Sequence, residues 1–500
     1  MSAPILELTG INKSFTGHKV LNDIDIMVSA GEILCLIGEN GCGKSTLIKI
    51  ISGVYEADSG NIKLNGRSYQ KLTPTASIKE GIQVIYQDFS VFPNLTVAEN
   101  IALGTQLVEG KKIINWKRIH EQAAKALSII GVSMDLDEEV GRLSVAQKQI
   151  VAISRAILQD AKLIIMDEPT TALTQKEIES LYGIIKNLSA DGVAIIFVSH
   201  KLDEVFQVCQ RIAVIRSGEM IVNEHVENFK KDKIVYYMTG QEIATEPFTY
   251  EKISDIPLLE VDSLNMEGAF YDISFQVYPG EILGITGQLG SGRTELAKAL
   301  FGIGQITGGK IKVRGEDKKF KNIQDAMACH IGYVPEDRLT EGLFMERTLV
   351  DNFSAPTIKS KTNRFGLISS NKMVEEAEYR IKELSINAKN VFVNANTFSG
   401  GNQQRIVIGK WLASNPEILI LNGPSVGVDV KSKSEIHKAL KELAKNGLCI
   451  ILISDDVGEL MTTTNRIIVM NGGRMIYENH TEKIDVELLN AKITQSFVEV

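Results

Sequence analysis

The stretch Gly38-Glu39-Asn40-Gly41-Cys42-Gly43-Lys44-Ser45-Thr46 sets glycines, a lysine and two hydroxyls at the spacing G-x-x-x-x-G-K-[ST]. That spacing suits a phosphate-binding loop. Glycines let backbone N–H groups wrap β- and γ-phosphates, and a helix start adds partial positive charge. Lys44 brings a full positive charge, and Ser45 offers a hydroxyl to Mg²⁺. A strand-like run, Glu32 to Ile37, enters the stretch, and a helix-like run, Thr46 to Ser52, leaves it. Further on, the apolar run Leu163-Ile164-Ile165-Met166 stops at Asp167-Glu168-Pro169-Thr170, and Val193 to Val198 stops at Ser199-His200. Such runs read as strands of a parallel sheet buried on both faces, and a rigid strand fixes the carboxylates at the sheet's carboxyl edge.

The elements that must position these groups alternate. Leu6 to Phe15 and Val20 to Val28 read as strands, the second with apolar residues at every other place. Asn61 to Leu64 and Gly81 to Tyr86 read as further strands, the latter ending at Gln87. Thr96 to Leu158 is helical in pattern, with Asn115 as a cap before Trp116, and Ile178 to Leu188 is another helix. Alternating strands and helices imply an α/β fold around a mainly parallel sheet.

The order then recurs, shifted by about 250 residues. Pro279-Gly280-Glu281-Ile282-Leu283 repeats Ala30 to Leu34, and Gly287 to Thr294 repeats the phosphate loop. Phe398-Ser399-Gly400-Gly401-Asn402-Gln403-Gln404 repeats Leu143-Ser144-Val145-Ala146-Gln147-Lys148-Gln149, and Ile418 to Leu421 repeats the strand before Asp167. Two domains are expected, 1–245 and 258–500, with 246–257 as linker. A chain of 500 residues is too long for one core. Its 44% hydrophobic and 23% charged content is ordinary for soluble protein, and its net charge of −8 argues against nucleic acid as a partner. No apolar run reaches the roughly 18 residues a membrane span needs. The opening residues lack the pattern of a secretion signal, and five scattered cysteines fit a reducing cytosol without a zinc site.

Phosphate loop, Gln87, a Leu-Ser-x-x-Gln segment, Asp-Glu-Pro-Thr and Ser-His, in this order, resemble the ATP-binding cassette of ABC transporters. Two cassettes in one chain resemble the ATPase subunit of monosaccharide importers of the ribose/galactose/xylose type. The resemblance implies two cassettes, each a P-loop α/β core with an antiparallel β subdomain and a helical signature subdomain. It implies ATP and Mg²⁺ as cofactors, transmembrane permease subunits and an external substrate-binding protein as partners, and a place on the cytoplasmic face of the membrane. Within it, Gly38 to Thr46 hold the phosphates, with Lys44 on the β/γ-phosphates. Ser45, Asp167 and Gln87 serve the metal, Gln87 reaching it or the attacking water. Glu168 is the general base, His200 contacts the γ-phosphate, and Phe15 lies against adenine. The family pairs its cassettes head to tail, so Ser399, Gly400, Gly401, Asn402 and Asp429 would close over the first nucleotide.

The second copy departs wherever chemistry matters. Arg293 replaces Lys44, Glu336 replaces Gln87, Asn422 and Gly423 replace Asp167 and Glu168, and Asp455 stands at the place of His200. Conversely, the altered signature, Val145-Ala146, is in the first copy, and Val426-Gly427-Val428-Asp429 in the second retains an aspartate that Thr171-Ala172-Leu173-Thr174 lacks. Head-to-tail pairing gathers every intact element in one composite site. Side-by-side pairing would mix intact and altered parts in both.

Smaller features carry smaller expectations. Phe89, Phe92 and Leu95 after Gln87 are candidates for docking a permease helix, against internal packing. Cys42 lies among N–H groups near Lys44, surroundings that lower a thiol's pKa; alkylation or oxidation there that blocks ATP is one reading, and a spacer that happens to be cysteine is the preferred one. Trp116 and Trp411 read as core residues. A nucleoside or furanone-type signal is an alternative cargo. A soluble tandem ATPase acting on ribosome or DNA is a rival for the whole chain, lacking here its long charged linker or zinc cysteines.

Overall fold

The computed structural model describes residues 4–494 apart from 16, 40, 87–89, 110–114, 171, 172, 174, 200, 201, 241–247, 251 and 363–366. Asn40, Gln87 and His200, with Phe89, Thr171, Ala172 and Thr174, therefore lie outside the described residues. The chain divides into two compact units, Met1–Ile243 and Ala244–Val500.

The first unit runs β1 (Pro4–Phe15), β2 (His18–Ser29), β3 (Ile33–Ile37), α1 (Lys44–Ile51), β4 (Ser59–Leu64), β5 (Arg67–Tyr69), α2 (Pro74–Lys79), β6 (Ile82–Ile85), α3 (Val97–Glu109), α4 (Trp116–Ile129), α5 (Val145–Leu158), β7 (Leu163–Asp167), α6 (Gln175–Ala190), β8 (Ala194–Val198), α7 (Leu202–Val208), β9 (Arg211–Arg216), β10 (Glu219–His225) and α8 (Lys231–Thr239). An antiparallel sheet has the order β2-β1-β4-β5. The second sheet, β10-β9-β3-β8-β7-β6, is parallel except for β10 at its edge. Alternation along β2 buries Leu21, Ile24, Ile26 and Val28, whereas β3 and β8 are buried at every position, as strands covered on both faces must be. Leu34, Leu36, Ile196 and Val198 join Leu47, Ile48 and Ile51 of α1 and the inner face of the antiparallel sheet in one core.

The second unit repeats this strand for strand: β11 (Leu259–Met266), β12 (Phe270–Val277), β13 (Ile282–Gly287), α9 (Arg293–Leu300), β14 (Gly308–Val313), β15 (Glu316–Lys318), α10 (Ile323–Ala328), β16 (Ile331–Val334), a π-turn at Arg338–Gly342, α11 (Leu349–Ser354), α12 (Ser370–Glu383), α13 (Gly400–Leu412), β17 (Ile418–Asn422), α14 (Val430–Lys445), β18 (Cys449–Ile453), α15 (Val457–Thr463), β19 (Arg466–Asn471), β20 (Arg474–His480) and α16 (Val486–Thr494). Its sheets are β12-β11-β14-β15 and β16-β17-β18-β13-β19-β20, the same orders as in the first unit. The expected α/β class, with an antiparallel sheet, a largely parallel sheet and a helical part in each copy, is what the structure has.

Several expectations need comment. Asn115 caps α4, its side chain accepting from the Arg118 N–H at 3.1 Å. Trp116 is not core: it is 52% exposed at the first helical position, and the packed stripe begins a turn later at Ile119, Ala123, Ala126 and Leu127. Trp411 does pack, edge-on to Phe301. The stretch 246–257 holds Phe248, which is buried in the second unit's core and whose carbonyl accepts from Asn465 Nδ2 at 3.2 Å. Among the described residues no helix is long and apolar enough to cross a membrane.

Each unit also buries a glutamate where the sheet edge meets its following helices. Glu204 accepts from the Ser199 and Thr170 hydroxyls. Glu459 accepts from Ser454 Oγ at 2.5 Å, Ser425 Oγ at 2.9 Å and His437 Nε2 at 2.6 Å. Burial pushes the Glu459 carboxyl up, but the His437 hydrogen bond, the Lys433 charge and the Ser454 hydroxyl outweigh it and hold it at about 2. Because the folded value lies below the ordinary 4.5, this stabilisation is complete above pH 4.5 and is lost as pH falls toward 2. In a Trp116→Phe background, Trp411 fluorescence reports the second unit. There Glu459→Gln should lower the denaturation midpoint at pH 7 and flatten its decline between pH 4.5 and the acid limit relative to the parent.

Candidate functional site

The parallel order of β3, β8, β7 and β6 brings four strand ends to one edge. The phosphate loop leaves β3, Ser199 follows β8, Asp167 and Glu168 close β7, and Gln87 follows β6 in sequence. The loop's shape comes from close packing. A Cβ at Gly38 would lie 2.2 Å from the Ile215 carbonyl oxygen and 2.5 Å from Cys42 Sγ, so nothing larger than glycine fits. Gly43, at φ +113°, leads into α1 with no side-chain cap, leaving the first N–H groups of the helix to a ligand. Lys44 Nζ meanwhile donates to the Gly38 and Glu39 carbonyls at 2.6 and 2.9 Å, and Ser45 is exposed.

Cys42 behaves as the spacer and not as the activated thiol. The thiol is buried, and burial raises its pKa, outweighing the Lys44 charge and hydrogen bonds that lower it. It packs beneath the loop as a spacer, and a buried protonated thiol is a poor nucleophile. Phe15, at the end of β1, is 37% exposed and meets the edge of Tyr55, leaving ring surface open to solvent.

Asp167 is half-buried, and its carboxyl is pushed up by burial and then by Glu168, with Lys44 pulling the other way. Two consecutive carboxylates and an exposed Ser45 hydroxyl are hard oxygen donors of the kind that hold a divalent cation. Glu168 adopts φ +48°, and its N–H donates to the Val198 carbonyl at 3.0 Å. Its counterpart Gly423 has φ +59° and makes the same bond to Ile453. The left-handed turn is thus built into both strand ends, and the first unit places a carboxylate there against the backbone preference.

The two signature helices begin differently. In α5, Ser144 Oγ accepts from the Gln147 N–H at 3.3 Å while Gln147 Oε1 accepts from the Ser144 N–H at 2.9 Å, a closed capping box. In α13, Ser399 makes no cap to a backbone N–H; its hydroxyl accepts from the Asn402 side chain instead. Gly400 and Gly401 open that helix, and Gly401 is pressed so close to α14 that a Cβ would stand 2.2 Å from Ser432 Oγ. Asp429 caps α14 through the Ser432 N–H.

In the second unit the phosphate-loop backbone recurs, with a Cβ at Gly287 reaching the Met470 carbonyl oxygen at 2.3 Å. Its acidic partners do not. Asn422 is buried with its amide nitrogen unpartnered, and a Cβ at Gly423 would meet Glu336 Cγ at 3.2 Å.

Sequence reading missed four residues that fasten the loops after Gln87 and Glu336. Buried Asn100 donates to the Phe92, Leu95 and Thr96 carbonyls and accepts from the Phe92 N–H; Asn352 does the same at Phe344, Arg347 and Thr348. Phe92 and Phe344 are thereby held outward, 50% and 54% exposed, and Leu95 is half-buried. Arg155 on α5 donates to the Ser90 carbonyl, and Lys410 on α13 donates to the Gly342 carbonyl at 2.8 Å, tying each signature helix to its loop. Burial lowers the Lys410 ammonium to about 8, and the side chain lies against the Phe344 and Trp411 rings. Only the equivalence of Asn100 with Asn352 in the repeat could have flagged the first pair.

The turn at Glu168 yields a stability test. Glycine accepts positive φ without strain, so Glu168→Gly should be more stable than Glu168→Ala by roughly 1 kcal/mol in urea unfolding. The reverse order would mean that the turn is not held in the native chain.

The family described as ABC transporter matches residues 21–171 and 270–426. The ribose import ATP-binding protein RbsA of Caldanaerobacter subterraneus is 39% identical over 490 residues, covering 98% of this chain and 99% of that protein. The protein of the same name from Geobacillus kaustophilus is 40% identical over 479 residues, with 95% and 97% covered, and that from Bacillus subtilis 35% over 483 residues, with 96% and 98% covered. Two matched segments, two structural copies and near end-to-end similarity to these ATP-binding proteins make one case: the chain belongs to the ABC transporter family, as a tandem-cassette ATPase.

Proposed function

We propose that the chain powers uptake of ribose or a closely related monosaccharide, and that one composite site turns over ATP. The cargo reading rests on full-length similarity to ribose import ATP-binding proteins. The single-site reading rests above all on the two helix starts: at α5 the Ser144 and Gln147 N–H groups are taken by the chain's own capping box, while α13 starts with no side-chain cap. An uncapped, glycine-opened helix start is an anion site, and a capped one with side chains at Val145 and Ala146 is not.

In this reading the first unit holds ATP, with Lys44 and the loop N–H groups on the phosphates and Phe15 against the base. Ser45 and Asp167, with Gln87, hold Mg²⁺, which neutralises charge on the phosphates when bound. Glu168 takes the proton of the attacking water, His200 steadies the γ-phosphate, and Ser399 to Asn402 with Asp429 close over it from the second unit. Closure and reopening then work on permease subunits at the cytoplasmic face of the membrane, fed by an external binding protein. The exposed Phe92 and Phe344 loops are the surfaces offered to the permease.

Glu168→Gln should cut phosphate release by about 100-fold or more while ATP binding persists. Asn422→Asp with Gly423→Glu should change it less than about twofold, since the new carboxylate would face Glu336 and the opposite helix start stays capped. Substantial turnover in Glu168→Gln, or a large gain in the double variant, would overturn the single-site assignment. Ribose-stimulated turnover in the assembly with permease and binding protein tests the cargo.

A further inference from the structure

Arg338 opens the π-turn that follows Glu336 and is half-buried between the loop at Val426–Gly427 and the start of α13. Its Nη1 donates to the Val426 carbonyl at 2.8 Å, its Nη2 to the Gly427 carbonyl at 3.4 Å, and its Nε to Gln403 Oε1 at 3.4 Å. Val426 and Gly427 lie in the loop that ends at the Asp429 cap, and Gln403 is in the first turn of α13. A Cβ on Gly400 would stand 2.9 Å from Nη2, so the guanidinium also lies against the start of that helix. One planar fork therefore clasps the helix start and the aspartate loop, which a flexible ammonium could not do at all three points. The same side chain lines a cavity of about 390 Å³ with Thr294, Glu336 and Asn422. At the matching place the first copy has Phe89, which has no donor to offer.

We infer that Arg338 is a positioning residue for ATP hydrolysis. It fixes the spacing between the open helix start at Ser399–Gly401 and the loop from Val426 to Asp429, so that both reach the nucleotide of the first unit together. The inference rests on the reading that these elements serve that nucleotide. Arg338 itself touches neither phosphate nor water in this scheme; it acts through the backbone it holds.

Steady-state phosphate release by the full-length chain tests this. Misplacement of such groups by about 1 Å can cost up to about 100-fold in rate. Arg338→Met should lower kcat by about 10-fold or more, with KM and the affinity for Mg²⁺-free ATP changed less than about twofold, because the first unit's own loop binds the nucleotide. Arg338→Lys, which keeps the charge but can serve only one carbonyl, should fall between Met and wild type. Wild-type kcat in Arg338→Met would overturn the inference. So would loss of ATP affinity and melting temperature in step with kcat, the mark of a purely structural role. Should Arg338→Met fail to fold, Arg338→Lys decides alone: kcat several-fold down with ATP affinity kept supports the inference, and unchanged kcat ends it. Glu168→Gln is run alongside. If it still turns over, the site reading fails; if it is inactive while Arg338→Met is fully active, only the role of Arg338 fails.

Discussion

In each unit the phosphate loop lies hard against the neighbouring strand, Gly38 on Ile215 and Gly287 on Met470. There is no room for even a methyl group, so the loop is pinned against the sheet and its curvature is set from below. The Cys42 carbonyl accepts from the Gly218 N–H, and the Gly218 carbonyl from the Asn22 N–H; Ser291, Gly473 and Tyr271 repeat both bonds. Loop, strand turn and antiparallel sheet are thus fastened at one point. Everything placed along the carboxyl edge takes its position relative to that anchor: Asp167 and Glu168 two strands away, and Ser199 between them.

From this shared frame the two units diverge in what the edge carries. The backbone turn after β7 and after β17 is the same left-handed one, yet one copy sets a glutamate there and the other a glycine. The glutamate bears a conformational cost of about 1 kcal/mol, the kind of local strain found where a side chain must be aimed. In the second unit Glu336 lies over the glycine, so the altered residues suit one another and a lone reversion would bring two carboxylates together. The signature helices diverge in the opposite sense, closed by Ser144 and Gln147 in the first unit and open at Ser399 in the second. Each unit is complete in one kind of element and altered in the other.

Much of this was legible in the residues because it depends on short-range chemistry. Asn115 reads as a helix cap, β2 reads as a half-buried strand, and the strand before Asp167 reads as fully buried, each from a few neighbouring residues. The lowered pKa suggested for Cys42 and the core placement of Trp116 fail for a common reason. Neighbours in sequence suggested a lowered thiol pKa and a buried indole, but burial is set by what packs from elsewhere. Asn100, Asn352, Arg155 and Lys410 left no periodic signal, since a single polar side chain inside a helix looks solvent-facing until its carbonyl partners are brought to it.

The sequence by itself determined the α/β class, the duplication, the family and which residue types stand at each strand end, because motif spacing and apolar runs act within one or two elements. Only the tertiary structure decided that Gly38 and Gly401 are sterically required, that Ser144 closes its helix while Ser399 leaves its own open, and that Arg338 clasps the aspartate loop to the Gly-Gly helix start. Arg338 meets Val426 across 88 residues, and Gly38 meets Ile215 from the far end of the first unit, each at hydrogen-bond or van der Waals distance. Local pattern does not carry such distances, because they are fixed by how whole sheets and helices pack.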